Sequence, residues 1–361
     1  MTNYYFIVGE ASGDLHASYL IRELSKLQSQ ATFRGFGGDK MQSVGFEVTK
    51  HYSEMAFMGF WEVFTNLPSI LKNFKQAKKE IIKYNIDVLV LVDYPGFNMR
   101  MASFAKKHGL KVVYYITPQV WAWKKSRIKT LKKNTDLLVP ILPFEKDFFT
   151  KNNVESSYFG HPLLDCLYHL DSRKIDVEKP IIALLPGSRK QEIKQSLPIM
   201  MEVVNDFKNH QFVIAGAPSI DISFYRTITG DAYIPIISEK THALLKESKA
   251  AIVTSGTATL EAAILKAPQV VCYKTSKISF FLGRLLVKVK YISLVNLICQ
   301  QEVVRELIQD DFNRKNLVEE LNLILNKKNR DTIISHYDNM LKLLGEKGVA
   351  KRLAKKIVSM N

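Results

Sequence analysis

Val253-Thr254-Ser255-Gly256-Thr257-Ala258-Thr259-Leu260-Glu261-Ala262-Ala263-Ile264 packs a strand end, a small-residue turn and a helix start into one short stretch. Residues 250–253 are a branched apolar run of strand length, and residues 257–265 carry apolar side chains at helical spacing. Ser255, Gly256 and Thr257 lie at the junction. Backbone N–H groups there lack intrahelical partners, and with the positive end of the helix dipole they favour an anion. Glu261 follows one turn later, within reach of the ribose of a nucleotide whose phosphates rest on that N-terminus. Two readings stand: a phosphate seat with a carboxylate grip on ribose, or an ordinary βα turn with a solvated glutamate, since strand-turn-helix is the commonest unit of α/β folds. Both readings place the chain in the α/β class.

Outward from this stretch, short branched strands alternate with helical segments, which means parallel sheets. Upstream, the apolar run 181–185 ends in Pro186-Gly187-Ser188-Arg189. A glycine, a hydroxyl and a cation that does not titrate suit a diphosphate, because arginine presents a planar fork of donors. A Gly-Ser turn with a solvated arginine is the alternative. The polar segment 165–180 reads as the linker between two halves.

In the first half, a strand over 4–8 runs into Gly9-Glu10-Ala11-Ser12-Gly13-Asp14 and a helix over about 15–28. The two glycines would let the backbone approach a ligand closely, as in a dinucleotide fold, which makes Glu10, Ser12 and Gly13 candidates for an acceptor or phosphate loop. The spacing is not G-x-G-x-x-G and no acidic residue closes a second strand near 31–35, which argues against a nicotinamide dehydrogenase. Asp14 reads as a helix cap. The run 88–92 is apolar throughout, as a central parallel strand should be, and Asp93 stands at its carboxyl end. Ligands bind at such ends, and a carboxylate there can take a proton from an attacking hydroxyl. Capping the next helix is the alternative for Asp93, although Asn98 is better placed for it. His161 reads as a turn residue and not as a base.

Two stretches suggest lipid. Residues 55–67 hold Phe57, Met58, Phe60, Trp61 and Phe64 with no Lys or Arg; this fits an acyl-binding or membrane-facing wall, or a fully buried helix. Lys72, Lys75, Lys78, Lys79 and Lys83 follow, suited either to solvent or to phospholipid head groups. Residues 275–296 carry apolar residues broken by Lys277, Arg284, Lys288 and Lys290, the pattern of a helix lying in an interface or of a buried helix with a basic rim.

Composition narrows the classes. The 361 residues, 47% hydrophobic and 24% charged, suffice for two ordinary domains. A net charge of +16 calls for an anionic partner, nucleic acid or an anionic membrane surface. Nucleic-acid binding predicts lysines interleaved with aromatics, which the 57–64 cluster lacks. Cys166, Cys272 and Cys299 stand far apart, against a disulfide framework and a zinc site. The chain opens on a strand without a charged-then-apolar leader, and no run reaches the roughly 18 apolar residues of a membrane span.

Gly9-Glu10-Ala11-Ser12-Gly13-Asp14, Pro118-Gln119-Val120-Trp121-Ala122-Trp123, Leu142-Pro143-Phe144-Glu145-Lys146, Leu184-Leu185-Pro186-Gly187-Ser188-Arg189, Ser255-Gly256-Thr257-Ala258-Thr259-Leu260-Glu261 and Tyr291-Ile292-Ser293-Leu294-Val295-Asn296 occur in the order found in bacterial lipid-A-disaccharide synthases, which the chain resembles over nearly its whole length. The resemblance implies a GT-B fold: two Rossmann-like parallel-sheet domains facing a cleft, an acceptor domain over 1–165 completed by a C-terminal helix at about 345–361, and a UDP-sugar domain over 166–344. It implies a metal-independent, cofactor-free, inverting transferase that joins UDP-2,3-diacylglucosamine to 2,3-diacylglucosamine 1-phosphate by a β(1→6) bond on the cytoplasmic face of the inner membrane. Relatives often form homodimers. The base falls on Asp93 and the donor side on Gly187, Ser188, Arg189, Ser255, Gly256, Thr257, Glu261 and Asn296; Asn296 enters through the resemblance alone. Many relatives read Asp-Ala-Pro-Asp where this chain reads Asp93-Tyr94-Pro95-Gly96, so a second carboxylate is missing here. The competing enzyme class is another GT-B protein on a soluble UDP-sugar, an epimerase or peptidoglycan-type transferase, which would not require the 55–67 wall.

Overall fold

In the computed structural model every residue of β4 (Val88–Val92) and of β7 (Ile181–Leu185) is buried, as expected of unbroken Val, Ile and Leu runs covered on both faces. The structure describes all residues except 56–66, 123–125, 168–174, 176, 231, 233, 277–279, 282–283, 285–288 and 361. The chain divides into two compact units, Met1–Cys166 with Leu344–Asn361, and Leu167–Leu343.

The first unit holds a six-stranded parallel sheet in the order β3-β2-β1-β4-β5-β6, with β1 at Asn3–Val8, β2 at Thr32–Gly37, β3 at Glu47–His51, β5 at Lys111–Tyr115 and β6 at Leu137–Val139. The second repeats the topology as β12-β11-β10-β7-β8-β9. Its remaining strands are β8 (Gln211–Gly216), β9 (Ile236–Ser238), β10 (Ser248–Thr254), β11 (Gln269–Tyr273) and β12 (Glu306–Ile308). In each unit the strand order reverses beside the first strand, between β1 and β4 and between β7 and β10. Loops leaving the carboxyl ends at such a switch point diverge and leave a crevice where ligands bind.

The C-terminal helix Val349–Val358 belongs to the first unit. Its Leu353, Ala354 and Ile357 share a core with Leu20, Ile21 and Leu24 of helix Ala11–Leu27. The Asp165 carboxylate accepts from the N–H groups of Gly348, Val349 and Ala350 at 2.6, 3.2 and 2.8 Å, neutralising the start of that helix. Arg352 donates twice to the Phe159 carbonyl.

Three local expectations change. The first helix starts at Ala11, not near 15, so Asp14 lies inside its first turn. Its buried carboxylate caps another helix, Asp39–Gln42, through the N–H groups of Gly38, Lys40 and Met41. Residues 275–296 are not one helix: residues 289–293 are irregular, and a separate helix, Leu294–Cys299, begins after Ser293, whose hydroxyl accepts from the Asn296 N–H. The glycines of the first loop pack against protein. A Cβ on Gly9 would lie 2.4 Å from the Tyr94 ring, and one on Gly13 2.8 Å from Val8.

Candidate functional site

Asp93 leaves the sheet at the first switch point. Val8 and Val92 are register partners, so the loops after β1 and β4 emerge side by side. Asp93 and Tyr94 both adopt φ +47°, two successive left-handed residues with side chains, which costs on the order of 1–2 kcal/mol each. Tertiary bonds hold them there. Asn98, buried within helix Pro95–Lys107, donates to the carbonyls of Asp93 at 2.7 Å, Val92 at 3.2 Å and Ile7 at 3.3 Å, and the Tyr114 hydroxyl donates to the Asp93 carbonyl at 2.8 Å. Asn98 therefore locks two strand ends together and does not cap the helix from outside it. Strain of this kind, over-determined by surrounding bonds, is a mark of functional loops.

Burial first, then the charge and hydrogen bond of Glu10, push the Asp93 carboxyl up from its ordinary 3.8 to about 7; Glu145 adds to the rise and the Tyr94 N–H opposes it. Glu10 is the N-cap residue of helix Ala11–Leu27, and its carboxylate accepts from the Ser12 hydroxyl at 2.7 Å. Glu145 is buried at the start of helix Pro143–Lys151, where it accepts from the N–H groups of Ile141 and Leu142 and from the Trp121 indole. Burial raises its carboxyl to about 7 against those donors. A Cβ on Gly96 would meet no described atom within 4 Å beyond its own chain neighbours and helix backbone. His161 is a buried turn residue whose Nδ1 accepts from the Leu163 N–H, and burial followed by His16 lowers it to about 3. The wall residues Phe57, Met58, Phe60, Trp61 and Phe64 lie outside the described residues.

In the second unit, the loops after β7 and β10 leave at the other switch point, where Leu185 pairs with Val253. They carry Gly187-Ser188-Arg189 and Ser255-Gly256-Thr257. Gly187 has φ +120°, and a Cβ there would lie 2.6 Å from Glu192. Glu192, in the first turn of helix Lys190–Met201, accepts from the N–H groups of Ser188 and Arg189 and pairs with the Arg189 guanidinium. Ser255 differs from expectation, because the β10–β11 ladder runs one residue further. Its N–H donates to the Cys272 carbonyl at 2.8 Å and its hydroxyl to the Ile292 carbonyl at 3.2 Å. That leaves Gly256 and Thr257, both exposed at the start of helix Thr257–Ile264, with the N–H groups that a helix start cannot satisfy internally.

Glu261, in the second turn of that helix, sits 3.4 Å from His242 Nε2. His242 belongs to helix Thr241–Glu247, and no sequence signal marks it. Glu192 carries no sequence signal either, because a capping box needs Ser, Thr, Asp or Asn three residues earlier and Arg189 stands there, with no acceptor atom. Asn296 is fully buried. Its Nδ2 donates to the Val304 carbonyl and the Glu306 carboxylate, and its Oδ1 accepts from the Val303 and Val304 N–H groups. No polar atom of that side chain is left for a ligand, so Asn296 braces the segment leading into β12. Among the described residues no group of three or more His, Cys, Asp or Glu could hold a metal ion, and no helix is long and apolar enough to cross a membrane.

The chain resembles the glycotransferase of kitacinnamycin with a TM-score of 0.70 at 11% identity, over 99% of this chain and 98% of that one. It resembles the UDP-GlcNAc 2-epimerase of Methanocaldococcus jannaschii, solved in complex with UDP-GlcNAc and UDP, with a TM-score of 0.66 at 14% identity over 100% of both chains. Two doubly wound units, each with a six-stranded parallel sheet, define the class, a GT-B protein. Residues 4–359 match the family model of lipid-A-disaccharide synthetase, and the lipid-A-disaccharide synthase of Syntrophus aciditrophicus (strain SB) is 36% identical over 363 residues, 96% of this chain and 95% of its own. The chain belongs to the lipid-A-disaccharide synthetase family and is a UDP-sugar-dependent glycosyltransferase of lipid A biosynthesis. A family match of that extent disfavours an epimerase or a peptidoglycan-type transferase.

Proposed function

We propose that this enzyme joins UDP-2,3-diacylglucosamine to 2,3-diacylglucosamine 1-phosphate by a β(1→6) bond, with inversion and release of UDP. Asp93 takes the proton of the attacking primary hydroxyl. The observation that carries this reading is the Asp93 carboxyl at a switch point, pushed by burial and Glu10 to about 7, where a general base works best at neutral pH. In the second unit, Arg189 and the Gly256 and Thr257 N–H groups take the diphosphate, and Glu261 takes the ribose. These fixed donors are suited to stabilising charge on the departing UDP, and the reading assigns no metal or other cofactor to that task.

The reading includes work at an anionic membrane surface. It is supported by the net charge of +16 and by helix Leu67–Lys83, which exposes Lys72, Lys75, Lys78, Lys79 and Lys83 together with Leu67 and Leu71. Purified protein incubated with both lipid substrates, with and without excess chelator, is expected to form the disaccharide phosphate and UDP at equal rates. Absence of disaccharide overturns the substrate assignment, and loss of activity in chelator overturns metal independence. Sedimentation with anionic vesicles tests the surface, with release by salt as the expected result.

A further inference from the structure

We propose that Glu10 and Asp93 act as one carboxyl dyad, in which the proton taken from the acceptor hydroxyl is held in the hydrogen bond between the two side chains, Glu10 being the positioning residue. This rests on the reading of Asp93 as base and adds a second group to it.

Several independent features build the pair. The Val8–Val92 register brings the two loops out at adjacent positions of the sheet. Gly9 lacks the Cβ that would collide with the Tyr94 ring, so the Asp93-Tyr94 turn closes directly over the β1 loop. Neither partner is free to drift: Glu10 is held by Ser12 Oγ, and the Asp93 backbone is pinned by Asn98 and Tyr114. Gly96 supplies no carboxylate; Glu10 hydrogen-bonds Asp93, whereas Glu145 acts on it through charge alone.

The ionisable surroundings favour a shared proton. Asp93 faces Glu10 from the β1 loop, Glu145 from helix Pro143–Lys151 and the Tyr114 hydroxyl from β5, while Arg127, on helix Arg127–Asn134, acts on Tyr114. The Glu10 charge and hydrogen bond disfavour the ionised form of Asp93, so a proton arriving on Asp93 is held against Glu10. In the transfer the acceptor oxygen bonds to the anomeric carbon while the bond from that carbon to the diphosphate oxygen breaks, its electron pair leaving with UDP. The hydroxyl proton enters the dyad, whose charge falls from −2 to −1, and later passes to water.

The test is the pH dependence of kcat and kcat/KM for wild type, Glu10→Gln, Glu10→Asp and Asp93→Asn, each checked for folding by circular dichroism. Wild-type kcat is expected to rise through an apparent pKa near 7, set by Asp93. Glu10→Gln, which keeps the shape and removes the neighbouring charge, should move that limb to acid by about one pH unit or more and lower kcat above it about tenfold. KM should change less than about threefold, and Glu10→Asp should restore the limb towards wild type. An unmoved limb in Glu10→Gln, whether activity is kept or falls uniformly, overturns the dyad while leaving Asp93 as base, provided Asp93→Asn is inactive. Normal turnover by Asp93→Asn overturns the base assignment itself.

Discussion

The Glu192 carboxylate accepts from the Ser188 N–H at 2.9 Å and also pairs with the Arg189 guanidinium at 3.1 Å. The turn after β7 is thus already filled by an anion from the chain itself, held by a nest of successive N–H groups. A donor diphosphate that uses Arg189 has to displace or crowd this carboxylate. Glu192→Gln is therefore expected to bind UDP about threefold more tightly, the scale of one charge near a helix N-terminus. Titration calorimetry measures it, and weaker binding would show that Glu192 instead shapes the turn for the nucleotide.

Glu261 lies against His242 at 3.4 Å and is only partly exposed, so its carboxylate is already oriented. Glu261→Ala should weaken UDP by about 1.5–3 kcal/mol, the worth of a charge-assisted hydrogen bond. His242→Ala should weaken it less, because it removes only the orienting partner. Equal UDP affinity for wild type and Glu261→Ala would take the ribose away from this residue.

Asp93 makes an opposite demand on stability. Its carboxyl is raised from 3.8 to about 7 in the folded protein, so the stability contributed by the protonated form is complete below about pH 4 and is lost as pH climbs through 7. That rise corresponds to roughly 4 kcal/mol. Asp93→Asn, neutral at every pH, should melt several degrees above wild type at pH 8, with the gap narrowing towards pH 4, as read by calorimetry. A gap that does not depend on pH would mean that ionisation of Asp93 is not what strains the site.

Asn296 predicts a different phenotype from the donor residues. Replacing it by Leu strands the Val303 and Val304 N–H groups, the Val304 carbonyl and one bond of Glu306, and each stranded buried group costs about 1–3 kcal/mol. Thermal stability should fall sharply, while the fraction that stays folded should bind UDP with unchanged affinity. Preserved stability together with lost UDP binding would return Asn296 to the ligand.

What the sequence by itself determined is the architecture. Unbroken apolar runs such as 88–92 and 181–185, short and rich in Val, Ile and Leu, read as strands covered on both faces, and helices between them make the sheets parallel. It also marked Asp93, Arg189 and Glu261, because their places follow from where a strand stops or a helix turns. Partners were out of reach, since contact between residues distant in the chain depends on register and packing, which no local period encodes. Glu10 beside Asp93 follows from the Val8–Val92 register. Asp14 meets a helix start at Gly38 and not its own, and one further rung of the β10–β11 ladder spends the Ser255 N–H. Asn296 is sealed by the turn before β12. A hydrogen-bonding group has few valences, and only the tertiary structure decides whether protein or ligand fills them.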